Sequence, residues 1–330
     1  MALTIIKYEA KWQKRWDDFV LNDSINGTFL QTRNFLNYHP IGKFIDASLL
    51  FLQGSNIVAV IPACVTVENN KKSFFSHKGS TFGGIVLNKS KYNITTMEQL
   101  FLLLEEYLLN EGFEFAFIKN TSDIFTLEKG DLFDYFFYKN NYQIIDELNL
   151  YVDVENMGEE ITQFWSPSNR RHYRASMKNS LQFREIIKNN ELERFYSILL
   201  ERLKSHGVTP VHRLQELEEL SKVRFPNCIK FYGVFNEDLL IAGTMLFLFK
   251  HRVLHTQYLA HDTYYNQIYP MSFLIYNVLK FAKDDSFKKV SFGISTENCG
   301  KFLNKGLSIF KEGFGATYCN NHSYYKLLKK

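Results

Sequence analysis

The residues best placed to do chemistry lie late in the chain, in Val290-Ser291-Phe292-Gly293-Ile294-Ser295-Thr296-Glu297-Asn298. A short apolar strand there delivers two hydroxyls and a carboxylate to its C-terminal end, where α/β folds commonly place ligands. Glu297 is a candidate base for an amine or hydroxyl acceptor. Ser295, Thr296 and Asn298 also have a plain alternative, because any of them could cap a following helix.

Two further clusters stand out. In Arg170-Arg171-His172-Tyr173-Arg174-Ala175-Ser176-Met177-Lys178, a helix would gather positions 170, 171, 174 and 178 on one stripe within an arc of about 100°. Such a stripe could grip the phosphates of a cofactor, a tRNA or an anionic glycolipid precursor, or could simply be a solvated face. In His77-Lys78-Gly79-Ser80-Thr81-Phe82-Gly83-Gly84, glycines let backbone amides point at an anion or at a substrate's peptide groups. The alternative is an irregular, bulged strand.

Missing motifs narrow the chemistry. The chain has no GxxxxGK[ST] loop, no GxGxxG after a strand, no GxSxG elbow and no HExxH, which disfavours the commonest nucleotide, hydrolase and zinc-protease mechanisms. Its nine histidines are scattered, and Cys64, Cys228, Cys299 and Cys319 show no ligand spacing. No metal site and no disulfide scaffold are expected.

The elements that must position these residues follow from periodicity. Apolar runs at 47–53 and 57–67, parted by Gly54-Ser55-Asn56, predict a hairpin. Met97, Leu100, Phe101, Leu104, Tyr107 and Leu108 at spacings of three and four predict a helix over 96–111 closed by Gly112. A strand at 113–117, a helix at 131–140 and a strand at 144–154 complete a first set. A second set repeats the order: strands at 229–235, 239–249 and 253–260, a helix at 271–285, a strand at 289–292, a helix over about 299–310 and a strand near Ala316. Matching elements lie about 170 to 180 residues apart, which points to two similar halves. Helices at 191–205 and 214–224 lie between them.

Size and composition suit this plan. A chain of 330 residues, 45% hydrophobic and 16% aromatic, is long enough for two cores of about 150 residues each. The polar run Glu155 to Glu160 is the expected boundary. The longest apolar run, 239–249, is far below the roughly 20 residues of a membrane span, and the N-terminus lacks a signal-peptide pattern, so a cytoplasmic protein is expected. A net charge of +4 decides nothing about nucleic acid.

Gly293-Ile294-Ser295-Thr296-Glu297, Leu303-Asn304-Lys305-Gly306-Leu307 and Phe310-Lys311-Glu312-Gly313-Phe314-Gly315-Ala316 together resemble the C-terminal part of FemAB-like proteins in the GNAT acyltransferase superfamily. Tyr38-His39-Pro40, Ser76 to Gly79, Phe82 to Gly84, Pro210-Val211-His212, Phe225-Pro226 and Thr256-Gln257-Tyr258 are similar too, so the resemblance covers nearly the whole chain. It implies an α/β (α+β) fold of two tandem GNAT-like domains, 1–155 and 156–330, each a mixed, largely antiparallel sheet flanked by helices. The last strands are expected to return to the first domain.

The resemblance also implies an acyl donor held where two central parallel strands splay, around Thr256 to Ala260 and Val290 to Phe292. Gln257, Tyr258, Met271, Ser272, Ser295 and Asn304 would lie on the cofactor side. Glu297 or His212 would deprotonate the acceptor. Many GNAT enzymes protonate the leaving thiolate with a tyrosine that the helix here lacks, and Lys305 or Lys311 would stand in for it. His39, His77, Gly83, Gly84, Arg170, Arg171 and Arg174 are the expected substrate-binding residues. The pyrophosphate loop departs from the family pattern: Gln267-Ile268-Tyr269-Pro270-Met271-Ser272 has Pro and Ser where Gly and Gly/Ala are usual, and proline removes an amide donor.

The expected activity is therefore acyl transfer from acyl-CoA to an amine or hydroxyl of a sugar or peptide, in cell-envelope or polysaccharide synthesis. One alternative is a Fem-like peptidyltransferase that uses aminoacyl-tRNA. The other is a GNAT-like binding module without catalysis. A glycan, peptide or small-molecule acceptor is the expected partner, with tRNA as a possible one, no DNA, and a monomer or homodimer.

Overall fold

The computed structural model describes residues 2–68, 70–205 and 207–328. The chain divides into two compact units: Met1–Glu147 with Asn320–Lys330, and Leu148–Cys319. The expected boundary at 155/156 follows the end of a strand, whereas the division falls inside that strand, which carries no turn signal at 147/148.

Unit 1 opens with β1 (Leu3–Lys7), β2 (Leu49–Gln53) and β3 (Asn56–Ile61), paired antiparallel in the order β1-β2-β3 and edged by Val86–Leu87. Pro62 ends the expected long run, and the chain resumes as β4 (Cys64–Glu68) and β5 (Lys71–Ser76), because proline cannot donate within a ladder. Helix α1 (Ile94–Asn110) starts at Asn93, whose side chain accepts from the Thr96 amide. Its Met97, Leu100, Phe101, Leu104 and Leu108 are buried, as their spacing predicts. Gly112 follows with φ of +72°. Then come β6 (Phe115–Lys119), parallel to β5, α2 (Asp131–Lys139), and β7 (Gln143–Asp153), whose first half belongs to this unit.

Unit 2 takes the second half of β7, then α3 (Pro167–Ser176), β8 (Gln182–Glu185) and α4 (Asn189–Lys204). The expected helix over 214–224 is α-helical only at Leu214–Glu218 and widens to a π-turn over Glu219–Arg224. Strands β9 (Ile229–Asn236), β10 (Leu239–Phe249) and β11 (Val253–His261) form an antiparallel meander. Helix α5 (Pro270–Asp284) leads to β12 (Lys289–Ile294), parallel to β11. The expected helix over 299–310 begins later, as α6 (Lys305–Glu312). Before it, Thr296–Glu297 and Phe302–Leu303 pair as a small ribbon, because Asn298, Cys299 and Gly300 all take positive φ and turn the chain back. Strand β13 (Thr317–Leu327) passes back to unit 1 at Asn320.

The duplication is regular in its second part. From Asn110 to Asp284 the separation is 174 residues (284 − 110), and the starts of β6 and β12, of α2 and α6, and both ends of β7 and β13 repeat it. Strand partners repeat it as well. In unit 2, β12 pairs antiparallel with β7, Lys289 opposite Asp153. In unit 1, β6 pairs antiparallel with β13, Phe115 opposite Leu327, the same pair with its two members exchanged between the repeats. Each half therefore lends its last strand to the other half's sheet. The core of unit 1 gathers Phe74, Phe101, Leu104, Phe137 and Tyr324, and that of unit 2 gathers Trp165, Leu246, Leu254, Leu274, Val290 and Phe314.

Candidate active site

The parallel pair in unit 2 is a fork. Strands β11 and β12 pair only over Val253 to His255 against Lys289 to Ser291, although both run further. Each carries an irregularity just past that point. Gln257 has no opposite number, since Tyr258 faces Met245 and Thr256 faces Leu246. Phe292 is likewise skipped between Ser291 and Gly293, and Gly293 has φ of +75°. Bulges bend and twist a strand, so the two edges part beyond His255 and Ser291. Gln257 and Tyr258 lie on one edge, and Gly293 and Ile294 on the other.

A buried polar cluster closes the base of the fork. His255 Nδ1 is 3.1 Å from Ser291 Oγ, and that hydroxyl also accepts from the Gly293 amide at 3.2 Å. Thr256 Oγ1 donates to the Ser291 carbonyl at 3.3 Å, and Asn149 Nδ2 donates to Cys319 Sγ at 3.3 Å. From α6, the Lys311 ammonium reaches the strand end and donates to the carbonyls of Gly293 at 2.8 Å and Ile294 at 2.7 Å. Lys311 is only 4% exposed, and burial pulls its pKa down to about 7. Burial first, and then the Lys311 charge, pull His255 down to about 4. Near neutral pH the imidazole is uncharged, and the amine sits close to its own midpoint.

Several expected site residues meet at the end of β12. Ser295 is buried, its amide donates to the Leu148 carbonyl at 2.8 Å, and its hydroxyl has no partner among the described residues. Asn304 caps α6 through Oδ1 and donates through Nδ2 to Glu297 at 2.8 Å. Glu297 itself is exposed on the ribbon. Lys305 is the first residue of α6 and is exposed too. His212 is buried, with Nδ1 2.8 Å from the Tyr258 hydroxyl, and burial raises that phenol to about 12. Tyr258 thus acts as a neutral donor to His212 or acceptor from it.

The α5 N-terminus is the second part of the site. Tyr269 precedes it in the left-handed region at φ of 54°, Pro270 is its first residue, and Met271 and Ser272 follow. The first amides of a helix have no partner within it and favour anions. The His172 ring of α3 stacks on the Tyr269 ring, with centroids 4.3 Å apart and planes 8° from parallel. Tyr173 stacks on Tyr276 of α5 at 4.0 Å. These contacts lay the basic helix beside the α5 N-terminus. Arg171 and Arg174 are exposed and Arg170 half-buried, and among the described residues none has a carboxylate partner. Lys178 lies beyond the end of α3.

The remaining expected residues belong to unit 1. His39 Nε2 is 2.7 Å from the Gly79 carbonyl, and His77 Nδ1 accepts from the Gly79 amide at 3.0 Å. Gly83 and Gly84 have packing reasons for their lack of side chain. A Cβ on Gly83 would sit 2.0 Å from the Ser76 carbonyl oxygen, and one on Gly84, at φ of +66°, 2.5 Å from Asn120 Oδ1.

Sequence reasoning missed His255, Ser291 and Asn149. The available signal was the polar run His255-Thr256-Gln257 inside a strand that otherwise reads as buried, since buried polar groups need partners. Among the described residues no group of His, Cys, Asp or Glu is placed to hold a metal ion, and no helix is long and apolar enough to cross a membrane.

Residues 167–300 match a sequence model described as an acetyltransferase (GNAT) domain. No curated protein matches the chain by sequence. Among solved structures, that of FemX superposes with a TM-score of 0.73 at 12% identity, covering 98% of this chain and 97% of that one. The structure of L-PGS from Bacillus licheniformis gives 0.61 at 10% identity, covering 98% and 94%. A tandem GNAT protein from the clavulanic acid biosynthesis pathway gives 0.54 at 8% identity, covering 99% of both chains. Residues 167–300 therefore resemble a GNAT domain, and the chain as a whole has the FemAB-like tandem GNAT fold.

Proposed function

We propose that unit 2 transfers an acyl group from acyl-CoA to an amine or hydroxyl of a sugar or peptide acceptor, in cell-envelope or polysaccharide synthesis, with Lys311 as the proton donor to the leaving group. The observation that carries this reading is the buried amine at the open end of the fork. A charged lysine has three N–H donors. Two are held by the Gly293 and Ile294 carbonyls, which leaves one for a reacting atom.

In this mechanism the acceptor nitrogen or oxygen attacks the thioester carbonyl, and its proton passes to His212. The new C–N or C–O bond forms and the C–S bond breaks. The departing thiolate takes the third Lys311 proton. A pKa of about 7 suits an acid that must both hold and release a proton near neutrality. Glu297 fits the base role less well, since one carboxylate oxygen is held by Asn304 and the side chain is solvated. Gln257 and Tyr258 would line the donor's path along β11. Met271 and Ser272 would offer amides to its phosphates.

A second reading is favoured by a specific feature, the proline and left-handed tyrosine in the phosphate loop together with the unpaired arginines of α3. It makes the donor an aminoacyl-tRNA, with the ester oxygen of the terminal ribose as leaving group and the same residues around it.

The test is single-turnover transfer from labelled acyl-CoAs and from labelled aminoacyl-tRNAs to a panel of amino-sugar and peptide acceptors. With whichever donor is active, Lys311→Met is expected to lower the rate by about 10² to 10⁴. It should also abolish the limb of the pH-rate profile near 7. A purely structural lysine would lower the rate and leave that limb in place. Transfer that is unchanged in Lys311→Met overturns the assignment, and any acyl turnover at all excludes a purely binding role.

A further inference from the structure

Unit 1 holds its own polar cavity at the end of β6, the counterpart of β12 in the other half. Residues Asn120-Thr121-Ser122-Asp123 follow β6 and correspond to Ile294, the last residue of β12, and the Ser295-Thr296-Glu297 that follows it, again at the separation of 174 (294 − 120). Both segments place in the protein a hydroxyl that has no partner among the described residues: Ser122 Oγ here and Thr296 Oγ1 there. Ser122 is only 3% exposed and lines a cavity of about 20 Å³, room for one group the size of water or ammonium.

The charges around this space are unbalanced. Asp123, Glu128 and Asp134 line it, against Lys129 and His322. Tyr324 donates to Asp134 Oδ1, and His322 is bound at Nδ1 by Asp146 at 2.7 Å. One oxygen of Asp123, an exposed residue, accepts from the Gly130 amide at 2.9 Å, and among the described residues no donor is bonded to its other oxygen. A Cβ placed on Gly130 would lie 3.1 Å from Asp123 Oδ1 and 3.9 Å from Asp134 Oδ1, so both carboxylates lie beside Gly130.

We propose that this cavity binds the primary ammonium group of an amine ligand. An ammonium carries three N–H donors and no acceptor. The cavity offers the unpartnered Ser122 hydroxyl, the open Asp123 oxygen and the Asp134 carboxylate. Its negative lining supplies the charge, and its size admits the head of an amine but not a trimethylated one. The proposal is independent of acyl transfer, since every group it uses lies in unit 1.

The test is the unfolding midpoint of the full chain titrated with methylammonium chloride, with potassium chloride and tetramethylammonium chloride at matched ionic strength as references. A saturable rise with methylammonium alone is expected. Asp123→Asn should weaken the apparent affinity about tenfold and Ser122→Ala about threefold, with unchanged circular dichroism. Lys311→Met should leave it unaltered. Equal responses to methylammonium and tetramethylammonium overturn the proposal. If Asp123→Asn does not fold, Ser122→Ala decides, and wild-type affinity in that variant overturns it as well.

Discussion

Two histidines in this chain are held uncharged by the fold, and that has a measurable cost in acid. Burial takes His255 and His77 from the usual value of 6.5 to about 4. Because the folded pKa is the lower one, the unfolded chain binds more protons between pH 6.5 and 4, and stability falls as pH falls through that window. Each site contributes about 3 kcal/mol at most, at 1.36 kcal/mol per pKa unit. Unfolding midpoints at pH 7 and pH 4.5 should therefore differ more in the wild type than in His255→Asn, whose loss on acidification is expected to be smaller by about 2 kcal/mol. An equal loss in both would mean His255 titrates as an exposed residue. At this scale the sequence names residue types, and the burial that pulls Lys311 down to about 7 depends on neighbours that it does not name. It was opaque where neighbours decide. Gly83 reads as a substrate cradle in the sequence, yet its missing Cβ makes room for the Ser76 carbonyl. Gly83→Ala is accordingly expected to destabilise by about 2 kcal/mol or more through overpacking, seen as a lower unfolding midpoint.

Among the elements, α3 has the clearest consequence for function. Ser166 caps it by accepting from the Asn169 amide, and Pro167 takes its first turn. The helix ends at Ser176, so the stripe read from the sequence as four cations is three, with Lys178 outside. The ring stack of His172 on Tyr269 could not be anticipated from spacing within α3, because it depends on which helix lies alongside. It turns a charged face into a neighbour of a helix N-terminus. Replacing Arg171 and Arg174 by Glu should weaken the phosphate-bearing donor and flatten the salt dependence of its binding, by about one unit of log–log slope per lost phosphate contact. Lys178→Glu should change neither. A flat salt response in the wild type would leave the stripe as a solvated face. The turn and second strand of the ribbon before α6, residues 299–303, fall within the expected helix for a related reason. The ribbon's strands are two residues each, too short for any period to register, and only the turn residues Asn298-Cys299-Gly300 announced a break.

At the level of the whole chain, the periodic order of elements made the duplication readable and the family resemblance implied the return of the last strand, while the loan of β7 to the second sheet was not readable. Alternation of apolar residues says that β7 and β13 are strands; it does not say which sheet receives them. The polar run after Val154 marks where β7 ends, and it drew the expected boundary to 155/156. Yet residues 149–153 of β7 are the antiparallel partners of β12, and the Leu148 carbonyl holds the Ser295 amide. A fragment of residues 156–330 would thus leave β12, which carries one edge of the fork, unpaired on that side. It would also carry residues 320–328 without β6, their partner in unit 1. Residues 148–319 retain the β12 partner and shed the stray strand. The expected outcome is that 148–319 unfolds cooperatively with a native-like near-ultraviolet signal, whereas 156–330 aggregates or melts without a sharp transition. The complementary truncation after Cys319 should damage unit 1 first, because Tyr324, stacked on Phe137 at 3.8 Å, would be lost from its core. Limited proteolysis of that truncation should cut within residues 2–147 before 148–319, and the reverse order would show that the returning strand contributes little to unit 1.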